Sequence, residues 1–156
     1  MTLMGKLVSL TKSGLEKRVE LSNITKGYVG MFEATTPSYP EIKIQQFIRN
    51  GSEVHLKLSR IDVTLKVNDR DLDRIEYTSD LETRHGLITK DMNIPPHELN
   101  FLIEYETTRL NQVISDFKEQ SFLKIDTSGK IELQSRTTKI QKDVRGEITI
   151  KPSEWV

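Results

Sequence analysis

Three histidines, a run of alternate aspartates and one glycine-lysine pair are the groups in this chain whose residue types could do chemistry. His55, His85 and His97 stand in three different contexts, so an imidazole metal site or a histidine acid–base pair would require them to meet in space. His85, beside Glu82, Arg84 and Gly86, has the neighbours best suited to lining a site; a plain loop histidine is the competing reading. Asn68-Asp-Arg-Asp-Leu-Asp-Arg74 offers hard oxygen ligands at alternate positions, as the start of a calcium loop does. Such a loop needs glycine at its sharp turn and a bidentate glutamate at its end, and here Arg74 and Asp80 stand at those places. The interleaved arginines would also neutralise the carboxylates, so a solvated, salt-bridged strand exit or first helical turn is expected instead. Thr127-Ser-Gly-Lys130 echoes a phosphate loop without its first glycine or its following helix, and reads as a hairpin turn. The chain has no Gly-x-Ser-x-Gly elbow, no Gly-x-Gly-x-x-Gly and no His-Glu-x-x-His. No catalytic residue, metal or cofactor is therefore expected.

The bounds on the chain agree with a binding role. At 156 residues it can bury a sizeable core without covalent staples. It contains no cysteine, which excludes thiol catalysis and cysteine-ligated metals and favours the cytoplasm. The first ten residues carry Lys6 inside their apolar run and do not read as a signal peptide, and no apolar run is long enough to span a bilayer. The formal net charge is zero, which removes a global argument for nucleic-acid binding and leaves only a local one.

The elements that must position any site begin with strand signals. Lys6 to Leu10 and Leu15 to Leu21 suggest a hairpin around Lys12-Ser-Gly14, and Tyr28 to Phe32 a third strand, before the loop Thr35-Thr-Pro-Ser-Tyr-Pro40. Ile42, Ile44 and Ile48 precede Asn50-Gly51, and Val54, Leu56 and Leu58 follow it, which predicts a second hairpin about that turn. After Leu58 the apolar parity shifts to Ile61, Val63, Leu65 and Val67, which requires a bulge or tight turn at Ser59-Arg60. Residues 1–90 thus read as an antiparallel β-meander or small barrel.

Residues 91–156 read as a helix followed by a β-hairpin. From Pro96 to Gln120 there is no glycine or further proline, and Leu99, Leu102, Ile103, Leu110, Val113, Ile114 and Phe117 gather on one helical face interrupted only by Glu106. One long amphipathic helix is the first expectation, giving an α+β fold. The second divides the run at Glu104-Tyr-Glu106 into two short helices, followed by strands about the turn Asp126-Thr-Ser-Gly129. In that form the stretch from His97 to Leu133, about a quarter of the chain, is similar to the winged helix of the Crp/Fnr transcription factors. It departs from their pattern at Asn100, where a small residue is usual, and at Glu104, where glycine is usual. The resemblance would direct Thr107, Thr108, Arg109 and Gln112 toward base edges, and Lys124 and Lys130 toward phosphates.

Function follows whichever form the stretch takes. With a single helix, the chain is expected to be a non-catalytic, intracellular regulatory or adaptor protein. It would bind an unidentified protein partner, with Phe101 and Tyr105 presented on the helix face away from the core. With the winged form, it would be a DNA-binding regulator whose β-rich half senses a ligand or dimerises. Arg136, Lys139, Lys142, Arg145 and Lys151 oppose only Asp143 and Glu147, a locally basic stretch best read as a solvated strand face. Trp155 reads as an indole docked on its own domain.

Overall fold

Strict alternation, rather than helical period, governs the interior. In β3 (Glu41–Asn50) the residues Ile42, Ile44, Gln46, Ile48 and Asn50 are all fully buried, while Lys43, Gln45, Phe47 and Arg49 face outward. The computed structural model describes residues 11–30, 41–107 and 122–150. The Lys6–Leu10 strand, the Thr35–Pro40 loop, Thr108, Arg109, Gln112 and Trp155 lie outside those residues, as does most of the second half of the expected helix.

Two antiparallel sheets hold the core between them. In the first, β1 (Val19–Leu21) and β2 (Lys26–Gly30) follow one another along one edge of β3, and β8 (Phe101–Thr107) lies along the other. The second runs β10 (Lys139–Ile150), β9 (Leu123–Gln134), β4 (Leu56–Val67), β5 (Arg70–Thr78) and β6 (Thr83–His85). The short β7 (Asn93–Ile94) pairs with the start of β4 on its β5 side. Ile61, Val63, Leu65 and Val67 of β4, with Ile125, Ile131 and Leu133 of β9, meet the β3 isoleucines in one apolar cluster. Strands of both the 1–90 and the 91–156 portions are paired within each sheet, β8 to β3 and β9 to β4. No helix among the described residues is long and apolar enough to cross a membrane.

Several sequence expectations are corrected by this arrangement. The α+β fold with a long amphipathic helix is replaced by a mostly β structure whose one described helix, α1 (Lys12–Arg18), has seven residues. Residues 101–107, inside the expected helix, form β8, with Ile103, Tyr105 and Thr107 turned inward. Pro96 and His97 make a turn rather than a helix start: His97 has φ 60°, and the Glu98 amide donates to the Pro95 carbonyl at 3.3 Å. The winged helix falls with it, because Glu104-Tyr-Glu106, its required turn, is the middle of a strand. The Lys12-Ser-Gly14 turn is instead the first turn of α1, where Thr11 caps the helix by accepting from the Gly14 amide at 3.0 Å and Leu15 is buried.

Asn50-Gly51 does not close a hairpin, since β3 and β4 belong to different sheets. The Asn50 side chain is buried and directs the crossing. Its amide donates to the carbonyls of Val54 and Pro95, each at 3.0 Å, and its Oδ1 accepts from the Ser52 amide at 3.0 Å and hydroxyl at 2.6 Å. The break expected at Ser59-Arg60 is present: the β4–β9 register shifts between Leu58 and Arg60, so both Leu58 and Ser59 face inward. The aspartate run becomes a two-residue turn, with Asn68 at φ 51° and Asp69 at φ 66°, which then enters β5.

The other flank is closed by a segment that passes from one sheet to the other. After β6, Gly86 at φ 78° turns the chain so that residues 86–88 run beside β8; the Glu106 amide donates to the Gly86 carbonyl at 2.7 Å and the Ile88 amide to the Glu104 carbonyl at 2.9 Å. Tyr105, bridged to Leu87 of this segment, has no exposed surface, and among the described residues its hydroxyl has no hydrogen-bond partner; burial pushes its pKa up. Leaving such a group dry costs about 1–3 kcal/mol. Tyr105→Phe is therefore expected to raise stability by about 1 kcal/mol in urea denaturation. A loss of stability instead would show that the hydroxyl is bonded.

Candidate functional site

The outward face of the second sheet is a lattice of opposed charges. Cross-strand register sets Arg60 beside Glu132, Lys66 beside Asp126 and Lys130 between Asp62 and Asp143. Arg74 grips Asp62 with two hydrogen bonds of 2.7 and 2.8 Å and reaches Glu76 at 2.9 Å, which holds the Asp62 carboxyl below the usual carboxylate range. Lys124 lies within 4.0 Å of Asp69 and 3.9 Å of Glu147. The two lysines expected to meet phosphates thus stand among carboxylates, which would repel a nucleic-acid backbone.

At one end of this face the balance stops. Lys57, the second residue of β4, stands opposite Gln134 on β9 and Asn93 on β7, both neutral. Arg136 follows two residues after Gln134, in the β9–β10 turn. That turn is fixed by the Ser135 hydroxyl, which accepts from the amides of Thr137 and Thr138 at 3.3 and 3.0 Å. Among the described residues neither Lys57 nor Arg136 has an ion-pair partner. Together with Val54, His55, Asn93 and residues 134–137, they line an open groove of about 760 Å³, a size typical of ligand-binding clefts. His55 Nε2 and Asn93 Oδ1 are 3.4 Å apart across its floor. The groove has a mostly apolar lining edged by two cations with no ion-pair partner among the described residues, by amides and by hydroxyls, which suits a ligand with both apolar and anionic groups.

A second polar cluster sits on the flank. Asp73 of β5 is nearly fully buried: its Oδ1 accepts from the Arg74 amide at 2.8 Å and from His85 Nε2 at 3.0 Å, and its Oδ2 from the Thr107 hydroxyl at 2.7 Å. Burial alone would raise the Asp73 pKa, but the hydrogen bonds from Thr107, His85 and the Arg74 amide together hold it below the ordinary value. An ionised carboxylate accepts only, so His85 Nε2 carries the proton toward it. These residues border a cavity of about 370 Å³. Thr107 gives its proton to Asp73 rather than to His85, so the three side chains do not form a nucleophile–base relay. Their evident work is structural, because Asp73 ties β5 and β6 of one sheet to β8 of the other.

The residues singled out from sequence are therefore dispersed. Tyr105 is interior and Phe101 packs, partly buried, against the core, so they do not form an exposed pair on one helix face. Thr107 is buried on Asp73, while Lys124 and Lys130 are on β9. His85 does line a cavity, where its hydrogen-bond partner is Asp73 and Thr107 is a further lining residue, while Glu82 and Arg84 are not in the lining. Of the basic stretch, Lys139 lies 3.9 Å from Glu132 and Lys142 donates to the Glu16 carbonyl at 2.8 Å, while Arg136 faces the groove. Lys57 escaped notice in the sequence, where nothing distinguishes it from other strand lysines.

Comparison with known proteins adds the fold. No known family model matches the chain, and no curated protein matches it. Solved structures do. The X-ray structure of Northeast Structural Genomics Consortium target SoR45 superposes with TM-score 0.51 at 11% identity, over 89% of this chain and 91% of that one. A solution structure of a protein from Arabidopsis thaliana gives 0.50 at 10% identity, over 83% and 81%. A crystal structure of a protein from Archaeoglobus fulgidus gives 0.49 at 15% identity, over 85% and 97%. At these identities the likeness to the first two is one of fold alone.

Proposed function

We propose that this chain is a non-catalytic regulatory or adaptor protein of the cytoplasm that holds a segment of another protein in the groove at the start of β4. The observation that carries the reading is the pair of cations Lys57 and Arg136, which have no ion-pair partner among the described residues and line an open cleft on a face whose other cations largely meet carboxylates. Surface charges left unbalanced beside an accessible apolar patch favour a complementary partner over solvent. The cysteine-free composition supports the cytoplasmic setting.

A photoreactive side chain at position 134 tests the reading. It is expected to form an adduct with a specific protein of the host cell, identified by mass spectrometry. The same group at position 149, on the far end of the same face, is expected to give none. Lys57→Glu with Arg136→Glu is expected to abolish the position-134 adduct and leave the melting temperature unchanged, since both side chains are exposed. Identical adducts at 134 and 149, or an adduct indifferent to both charge reversals, would sink the proposal.

A further inference from the structure

We infer that two copies of this chain pair edge to edge through β10, antiparallel about a two-fold axis at Val144, so that their second sheets join into one.

Among the described residues β10 ends its sheet, with β9 as its one paired neighbour. The β9 register is unbroken from Lys139 to Ile150, so the direction of the β10 backbone groups alternates without interruption. The Glu147 amide donates to Asn23 Oδ1 at 2.7 Å, outside the β9 ladder. The odd-numbered residues are therefore the ones that direct N–H and C=O away from β9. Those groups of Gln141, Asp143 and Arg145 have no hydrogen-bond partner among the described residues, and the three residues are exposed. An edge left open in this way is a template for another strand. Lysines on an edge usually block such pairing, but both lysines of β10 are engaged. Lys142 Nζ donates to the Glu16 carbonyl at 2.8 Å, and Lys139 lies 3.9 Å from Glu132.

Charge selects a second copy and sets its register. Asp143 and Arg145 have no ion-pair partner among the described residues. Two such edges can bond only where odd-numbered residues stand opposite odd-numbered ones. With Val144 on the axis, Asp143 of each copy stands opposite Arg145 of the other, so both charges are met twice over. An axis at Asp143 or at Arg145 would set like charges directly opposite. An axis at Lys142 would set Lys139 against Arg145. An axis at Gly146 would use Glu147, whose amide is already held by Asn23 and whose carboxylate lies 3.9 Å from Lys124. The Asn23 contact also ends the open edge at Glu147 and leaves Thr149 beyond it. A foreign strand with charge of one sign would satisfy one of the two residues and repel the other; β10 carries both signs in the order its own edge requires.

Sedimentation equilibrium of the full-length protein is expected to show reversible dimerisation between micromolar and millimolar concentration, as suits a small interface. Asp143→Arg alone and Arg145→Asp alone each oppose like charges twice, and each is expected to raise the dimer Kd by about tenfold or more. The two substitutions together exchange the charges and are expected to return the Kd to within about threefold of the original. Hydrogen exchange of the unaltered protein, which depends on no variant folding, is expected to slow at the amides of residues 143 and 145 as concentration rises, and not at residue 149. A chain that stays monomeric throughout overturns the inference. So does a dimer whose Kd ignores the single reversals, one that the exchanged pair fails to restore, or one whose newly protected amides lie outside β10. The groove reading is tested separately, since Lys57 and Arg136 take no part in this edge.

Discussion

Gly129→Val is expected to destabilise the protein by more than about 4 kcal/mol, enough to remove the folded state of a marginally stable domain. Gly129 sits in the middle of β9, opposite Val63 on β4 and Val144 on β10, with φ 153°. A β-carbon there would overlap the Asp62 carbonyl oxygen and lie 2.8 Å from the Val63 α-carbon. These are backbone atoms and cannot swing aside as a side-chain tip would. Relief requires β9 to part from β4, the pairing at the centre of the second sheet, and to expose Val63 and Ile131 with it. Urea denaturation followed by circular dichroism measures the effect. A Gly129→Val protein that unfolds cooperatively with a loss below about 1 kcal/mol would show that this register is not the one the chain adopts.

Asp73→Ala is expected to cost about 3 kcal/mol, because it strands the Thr107 hydroxyl, the Arg74 amide and His85 Nε2 at a buried junction of the two sheets. The pH dependence gives a sharper test. The folded-state pKa is lowered, so the ionised carboxylate contributes stability that is fully present above the ordinary aspartate value of 3.8 and is lost as pH falls through the lower folded value. The stability gap between the native protein and Asp73→Asn should therefore be flat from about pH 7 to about pH 5 and shrink below about pH 4. A gap that widens with acid would mean that the carboxyl is protonated in the folded state.

The junction made by Asp73 shows why part of the site was hidden. His85 drew attention through its neighbours in sequence, yet what occupies it is a carboxylate twelve residues earlier, which also accepts from a hydroxyl thirty-four residues beyond Asp73. The groove is similar. Arg136 stood out within a basic stretch, while the neutrality around Lys57 became visible only once Gln134 and Asn93 were placed beside it. Charge balance on a sheet face is a property of registered neighbours, and register is a long-range choice.

Helix was expected where strand is found because the stripe from Leu99 to Phe117 sums residues on both sides of Thr107, a window longer than any one element needs. Within 101–107 a different pattern was already legible: Phe101, Ile103, Tyr105 and Thr107 alternate with Leu102, Glu104 and Glu106, in residue types that favour strands. Asp126-Thr-Ser-Gly129 misled in the opposite direction. Its composition is that of a turn, but the glycine serves the close approach of β4, and the true turn lies at residues 135–138.

Residue order alone determined the inward faces of β3 and β4 and the bulge at Ser59-Arg60, because side-chain parity is a local property of an extended chain. The run of alternate aspartates and arginines, expected as a salt-bridged strand exit or first helical turn, forms a turn that enters β5, and Arg74 pairs with Asp62 and Glu76, outside the run. Tertiary structure alone decided that Asn50-Gly51 crosses between sheets, that residues 101–107 pair with β3, and that Lys57 and Arg136 share a groove whose described lining holds no carboxylate. Those outcomes depend on which strands bury one another's apolar faces, a choice made between residues far apart in the chain.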